Sequence, residues 1–253
     1  MDSVYNSLLN TRRERGGCFF LLLDPDRMDA RKVIELSEAA MECGVDAILV
    51  GTSFMLHSNF SESIRRIKSV TELPVLIFPG SYTQVTSGAD AILFTMLISG
   101  RNPQYLIDEQ VKGAPMVKEA GIEVIPTGYM LIESGTLTSV QFISNTMPIP
   151  RGKPDIACAH ALAAQYLGMK MVYLEAGSGA EQTVPVEMVR AVASYVDIPV
   201  MVGGGLESVE DCAARVEAGA ANIVMGNRFE RDSGFHYLRD LTAASHPVEM
   251  VTI

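Results

Sequence analysis

Eight short apolar runs recur along this chain, each ending in a glycine, an acid or a small polar residue. They are CFFLLLD (18–24), VDAILVG (45–51), LPVLIFPG (73–80), ADAILFT (89–95), GIEVIPTG (121–128), KMVYLEAG (170–177), IPVMVGGG (198–205) and AANIVMG (220–226). Unbroken apolar runs rich in β-branched residues suit parallel strands covered on both faces; a strand with one wet face would alternate. Helices fit the intervening stretches 29–43, 59–69, 103–120, 155–168, 185–195, 207–219 and 228–243. In 29–43, Val33, Leu36, Ala40 and Cys43 share one face, Glu35, Glu38 and Glu42 take the other, and Gly44 stops the helix. In 207–219, Ser208 and Asp211 have capping-box spacing and Gly219 closes the end. One link departs from the pattern: SYTQVTSG (81–88) is too short and too polar for a full helix. Eight strand units with one degenerate link predict an α/β fold, a (β/α)8 TIM barrel with the third helix short or missing. No linker divides residues 1–253, so one domain is expected; the proline-rich MPIPRGKP (147–154) falls inside a strand-to-helix connection.

Charge and cysteine usage narrow the function. The formal net charge is -10, the wrong sign for a nucleic-acid surface. Cys18, Cys43, Cys158 and Cys212 form no CxxC pair and sit in apolar stretches, which fits a reducing, cytoplasmic setting. The first 17 residues lack the apolar segment of a signal peptide. No apolar run approaches the ~20 residues a transmembrane helix needs.

In a TIM barrel the loops after the strands form the functional face. Three of those loops are glycine turns at neighbouring strand ends: Gly177-Ser178-Gly179, Gly204–Gly205 and Gly226–Asn227. Glycine lets backbone N–H groups approach an anion, and helix N-termini behind such turns add partial positive charge. Any one turn is better explained by helix-start geometry. Three side by side point to a phosphate cradle, with Glu175 just before the first.

Across the barrel mouth, Asp24 in DPDR has two readings. It is either a turn-forming residue or, with Ser53 on the next loop, an oxygen donor to Mg²⁺, a cation satisfied by few protein ligands and several phosphate oxygens. The long connection from Tyr129 to Pro154 is too apolar for disorder. With Phe54, Met55, Leu56, Leu97 and Ile98 it predicts a greasy mouth, suited to a phosphorylated polyol meeting a hydrophobic diphosphate. Arg101 is the candidate for a further diphosphate contact.

The segments LLLDPDR, AILVGTSF, LPVLIFPG, GYMLIESG, VYLEAGSGA, VMVGGG and IVMGN, in this order and spacing from about residue 18 to 230, resemble the geranylgeranylglyceryl phosphate synthases and their heptaprenyl relatives. The resemblance implies a modified TIM barrel with a degenerate third helix. It also implies a reaction: the 3-hydroxyl of sn-glycerol 1-phosphate attacks C1 of a polyprenyl diphosphate, forming an ether and releasing pyrophosphate. Geranylgeranyl diphosphate is the expected donor, with the heptaprenyl compound as alternative. By the same resemblance Asp24 and Ser53 are the Mg²⁺ ligands. The glycerol phosphate lies on Tyr173, Leu174, Glu175, Ala176, Gly177, Ser178, Gly179, Gly204, Gly205, Gly226 and Asn227. Glu175 is the base, and Tyr129 stands near the glycerol. Two positions depart from the usual pattern: Arg27 replaces a lysine, and Thr52 beside Ser53 offers a second hydroxyl. A homo-oligomer, dimer or hexamer, is expected, and a lipid product would bring the protein near membranes.

Two rivals share the barrel. A sugar-phosphate isomerase or lyase would use the cradle but would show a second acid or base at a strand end. None of His57, His160, His236 and His246 lies directly at one. A non-catalytic barrel would be free to lose Asp24 and Glu175, and both are present.

Overall fold

The computed structural model describes residues 3–57, 59–231 and 235–248. Eight parallel strands close into a barrel in sequence order: β1 (Cys18–Leu23), β2 (Ala47–Val50), β3 (Val75–Ile77), β4 (Ala91–Leu97), β5 (Glu123–Leu131), β6 (Met171–Glu175), β7 (Val200–Gly203) and β8 (Asn222–Met225). β8 pairs with β1, Phe20 opposite Val224, and so closes the ring. Each predicted run holds one strand, and β4 and β5 extend past their predicted ends.

The side chains divide by the two-residue period of a strand. Phe20, Leu49, Leu76, Leu93, Met171, Met201 and Val224 point inward and fill the barrel. Phe19, Leu21, Ile48, Val75, Ile92, Val172, Val202 and Ile223 point outward beneath the helices. All are essentially buried, and burying a side chain of this size stabilises by about 1.5–3 kcal/mol. Neither strand face is wet, which is why the sequence shows runs rather than alternation.

The helical shell comprises α1 (Val4–Arg15), α2 (Ala30–Glu42), α3 (Phe60–Val70), α4 (Glu109–Ala120), α5 (Ser139–Ser144), α6 (Pro154–Tyr166), α7 (Val186–Ala193), α8 (Val209–Glu217), α9 (Asn227–Arg231) and α10 (Phe235–Ala244). A π-helical turn, Gln104–Asp108, leads into α4. The capping box of α8 is present: Ser208 Oγ accepts from Asp211 N at 3.0 Å, and Ser208 N donates to the Asp211 carboxylate. Between β3 and β4 there is only a 3₁₀ turn, Tyr82–Gln84, as the short polar link predicts. The stretch 228–243 divides into α9 and α10, and positions 232–234 of it lie outside the described residues.

Two helices are additions to the sequence reading. α1 closes the N-terminal end of the barrel: Leu8 joins the inner cluster, and the amides of Val4 and Tyr5 donate to the Glu123 carboxylate at the start of β5. α5 lies in the long β5–α6 connection. Among the described residues no helix is long and apolar enough to cross a membrane.

Candidate active site

The C-terminal ends of the strands open on one pocket. Glu175, the last residue of β6, points into it and is 6% exposed. Its Oε1 accepts from Gly177 N at 2.6 Å. Burial pushes its pKa up, against the lowering influence of the Tyr173 hydroxyl and the Gly177 N–H. Tyr173 stacks among Phe78 (centroids 5.3 Å apart) and Tyr129 (5.4 Å, edge to face). Burial pushes both tyrosines well above their ordinary pKa. Both therefore remain protonated at neutral pH, so Tyr129 can donate a hydrogen bond beside Glu175 but cannot serve as a phenolate base.

The glycine turns surround this carboxylate. Gly177, Gly179, Gly204 and Gly205 all have positive φ. A Cβ at Gly204 would overlap Glu175 Oε1 and the amide nitrogens of Ala176 and Gly177. Only glycine fits there, for backbone conformation and for space. The helix N-terminus expected behind Gly204–Gly205 lies further on, because α8 starts at Val209 under its own Ser208 cap. Gly226–Asn227 does lead directly into α9. Asn227 Nδ2 donates to Ser178 Oγ at 2.9 Å and Arg27 Nη1 donates to the same oxygen at 3.3 Å, so three loops meet at Ser178.

The Asp24 corner, expected across the mouth, adjoins the cradle, because β1 pairs with β8 and Arg27 reaches both Asp24 and Ser178. Asp24 is 9% exposed; its Oδ1 accepts from Asp26 N at 2.9 Å, and Arg27 Nε stands 3.5 Å from Oδ2. Burial raises its pKa, while the Asp26 amide, the Thr52 hydroxyl and the Arg27 charge lower it. The turn reading of Asp24 is thus realised, yet the residue also lines the pocket beside Thr52 and Ser53. The cap of α2 is Asp29. Among the described residues no three His, Cys, Asp or Glu side chains gather to hold a metal ion. A cation here would take Asp24, a hydroxyl and oxygens from its ligand. That all-oxygen set fits Mg²⁺.

Several predicted residues lie elsewhere. Arg101 is exposed and its guanidinium donates to Ser99 O and Gly100 O of its own loop, so Arg27 is the arginine at the pocket. Leu174 and Ala176 point into the outer apolar layer, and Gly177 and Gly179 shape the turn behind the wall. Phe54 and Leu56 are 58% and 70% exposed rather than lining the mouth, and Met55 packs on the outer core. Ile98 likewise packs on the outer core, whereas Leu97 and, from the long connection, Val140 and Ile143 line the pocket as expected, joined by Phe78, Val85, Ile92, Phe94 and Tyr105. This apolar wall runs out past Gly113, where the missing third helix leaves the barrel uncovered. Sequence reasoning found the gap in the shell without recognising it as a pocket wall. Gln84 and the π-turn residue Tyr105 carried no signal beyond their place next to that gap.

Fold and site together define a TIM-barrel enzyme whose pocket joins a polar, glycine-walled end to an apolar side groove. The chain belongs to the PcrB family, whose model matches residues 9–244. A geranylgeranylglyceryl phosphate synthase of Chitinophaga pinensis is 40% identical over 97% of this chain and 96% of its own length. The enzyme of that name from Thermococcus gammatolerans is 48% identical over 84% of each. The crystal structure of (S)-3-O-geranylgeranylglyceryl phosphate synthase from Thermoplasma acidophilum in complex with sn-glycerol-1-phosphate superposes with a TM-score of 0.93 at 35% identity, covering 98% of this chain and all of the other. The resemblance read from the motifs holds.

Proposed function

We propose that the protein joins sn-glycerol 1-phosphate to a polyprenyl diphosphate, geranylgeranyl diphosphate first among the donors, through an ether at the 3-hydroxyl. The observation that carries this reading is the shape of the pocket at the C-terminal ends of the strands. A buried carboxylate and glycine cradle occupy one end, an acid-and-hydroxyl corner adjoins them, and an apolar groove leads away. The relatives' shared name and the Thermoplasma complex support the same assignment.

Glycerol phosphate would lie on the turns at Ser178, Gly204–Gly205 and Gly226–Asn227, with Arg27 adding positive charge. Glu175 accepts the proton of the 3-hydroxyl as its oxygen bonds to C1. The bond from C1 to the diphosphate oxygen breaks, and pyrophosphate leaves with the electron pair. The raised pKa of Glu175 suits it to this task. The aromatic wall excludes water that would otherwise capture the allylic centre. Asp24 with Thr52 or Ser53 would hold Mg²⁺, which supplies charge to the departing diphosphate. A cytoplasmic homo-oligomer that meets membranes through its lipid product completes the proposal.

Asp24→Asn tests the metal corner. An amide is a weaker ligand for a hard cation, so turnover at limiting Mg²⁺ should collapse while sn-glycerol 1-phosphate still binds. Wild-type turnover at limiting Mg²⁺ would remove Asp24 from the metal site.

A further inference from the structure

The link that replaces the third helix carries a buried polar side chain that the mechanism above does not use. Gln84, in the 3₁₀ turn, is 1% exposed. Its Nε2 donates to Thr52 O at 2.8 Å. Its Oε1 accepts from Thr52 N at 3.4 Å and from Gly80 N at 3.2 Å. One carboxamide thus holds both backbone groups of Thr52 and ties them to the loop after β3. The two loops touch backbone to backbone: a Cβ at Gly51 would overlap Phe78 O, and one at Gly80 would overlap Thr52 O. No side chain can stand between them, so their register depends on hydrogen bonds.

We infer that Gln84 is a positioning residue that fixes the loop after β2 so that its hydroxyls face Asp24. This rests on the proposed diphosphate corner and adds a role for the degenerate link, whose glutamine replaces helix packing as the support for that corner. Only an amide can do this. Glutamate lacks the donor for Thr52 O, and methionine lacks the donor and offers only a weakly accepting sulfur, leaving three backbone groups without a good partner at a site where Thr52 is 7% exposed.

The test compares wild type with Gln84→Met and Gln84→Glu in three measurements. Amide hydrogen exchange without ligand should quicken at Thr52 and Gly80 in Gln84→Met, quicken less in Gln84→Glu, which keeps the acceptor for both amides and loses only the donor to Thr52 O, and stay unchanged at Gly177 and Gly204. Inorganic pyrophosphate with Mg²⁺ should bind at least about fivefold more weakly to Gln84→Met, the scale of one or two lost hydrogen bonds. Affinity for sn-glycerol 1-phosphate should stay within about twofold, because its cradle lies on β6 to β8. Unchanged exchange at Thr52 in Gln84→Met overturns the inference. So does a parallel fall in both affinities, which would make Gln84 a general support of the fold. Quickened exchange with wild-type pyrophosphate affinity overturns Gln84 alone and leaves the diphosphate corner standing. A wild-type protein that takes up no pyrophosphate with Mg²⁺ overturns the corner and the inference together.

Discussion

Glu175 is suited to act as a base because opposing influences meet on one carboxylate. Burial raises its pKa, and the Gly177 N–H with the Tyr173 hydroxyl keeps the rise in check. Glu175→Gln keeps size and hydrogen bonding but cannot take a proton. Single-turnover rate should fall on the order of 10²–10⁴-fold, with affinity for sn-glycerol 1-phosphate little changed. Normal chemistry with poor binding would make the residue a positioning group. The acid form dominates as pH falls through the raised pKa, so kcat should drop on an acid limb above pH 4.5, the ordinary glutamate value. A limb that is absent from the Gln variant identifies the group. At this scale the sequence is informative where position alone decides. A glutamate closing a strand must stand at the mouth, and so must Asp24. Arginines are harder: Arg27 and Arg101 both follow strands, and their long flexible stems reach different places, one to Ser178 and the other back to its own loop.

The glycine turn after β7 is the element on which the cradle depends most. Gly204 has φ +83°, and a Cβ there meets Glu175 Oε1. Gly204→Ala should therefore strain the turn by about 1–2 kcal/mol and displace the carboxylate. Titration should show sn-glycerol 1-phosphate bound about tenfold or more weakly, while thermal unfolding shows a folded protein. Unchanged affinity would separate this turn from the ligand. Elements with strong local chemistry are legible in sequence, as the Ser208 capping box and the degenerate third link show. α1 and α5 are not. α1 is dominated by polar and basic residues, with Leu8 alone buried. α5 has six residues, too few for a helical period to register. The greasy mouth is right for Leu97 and for the long connection, whose Tyr129, Val140 and Ile143 line the pocket, and wrong for the loop after β2, for a related reason. Phe54 and Leu56 are apolar and sit after a strand, yet they project outward, since a loop has no fixed period to assign a face.

Across the whole molecule, the closed barrel sets which loops can meet. β6, β7 and β8 are neighbours in the ring, so three glycine turns far apart in sequence become one wall. The opposite end is sealed for stability. α1 plugs it, and buried Asp46 binds Phe19 N at 2.7 Å, His246 Nε2 at 2.7 Å and Arg15 Nη1 at 3.1 Å, tying both chain ends to the barrel. The missing helix breaks the outer layer at one place and gives the pocket its apolar extension. That combination, polar cradle inside and apolar groove to the side, is the basis of the functional claim. The most direct test is product identification. The purified protein is incubated with Mg²⁺, labelled sn-glycerol 1-phosphate and a series of prenyl diphosphates from geranyl to heptaprenyl, and the products are analysed by mass. The account predicts a geranylgeranyl ether of glycerol 1-phosphate as the main product, formed with one pyrophosphate per ether. Recovery of the glycerol phosphate without a prenyl ether from any donor would contradict it.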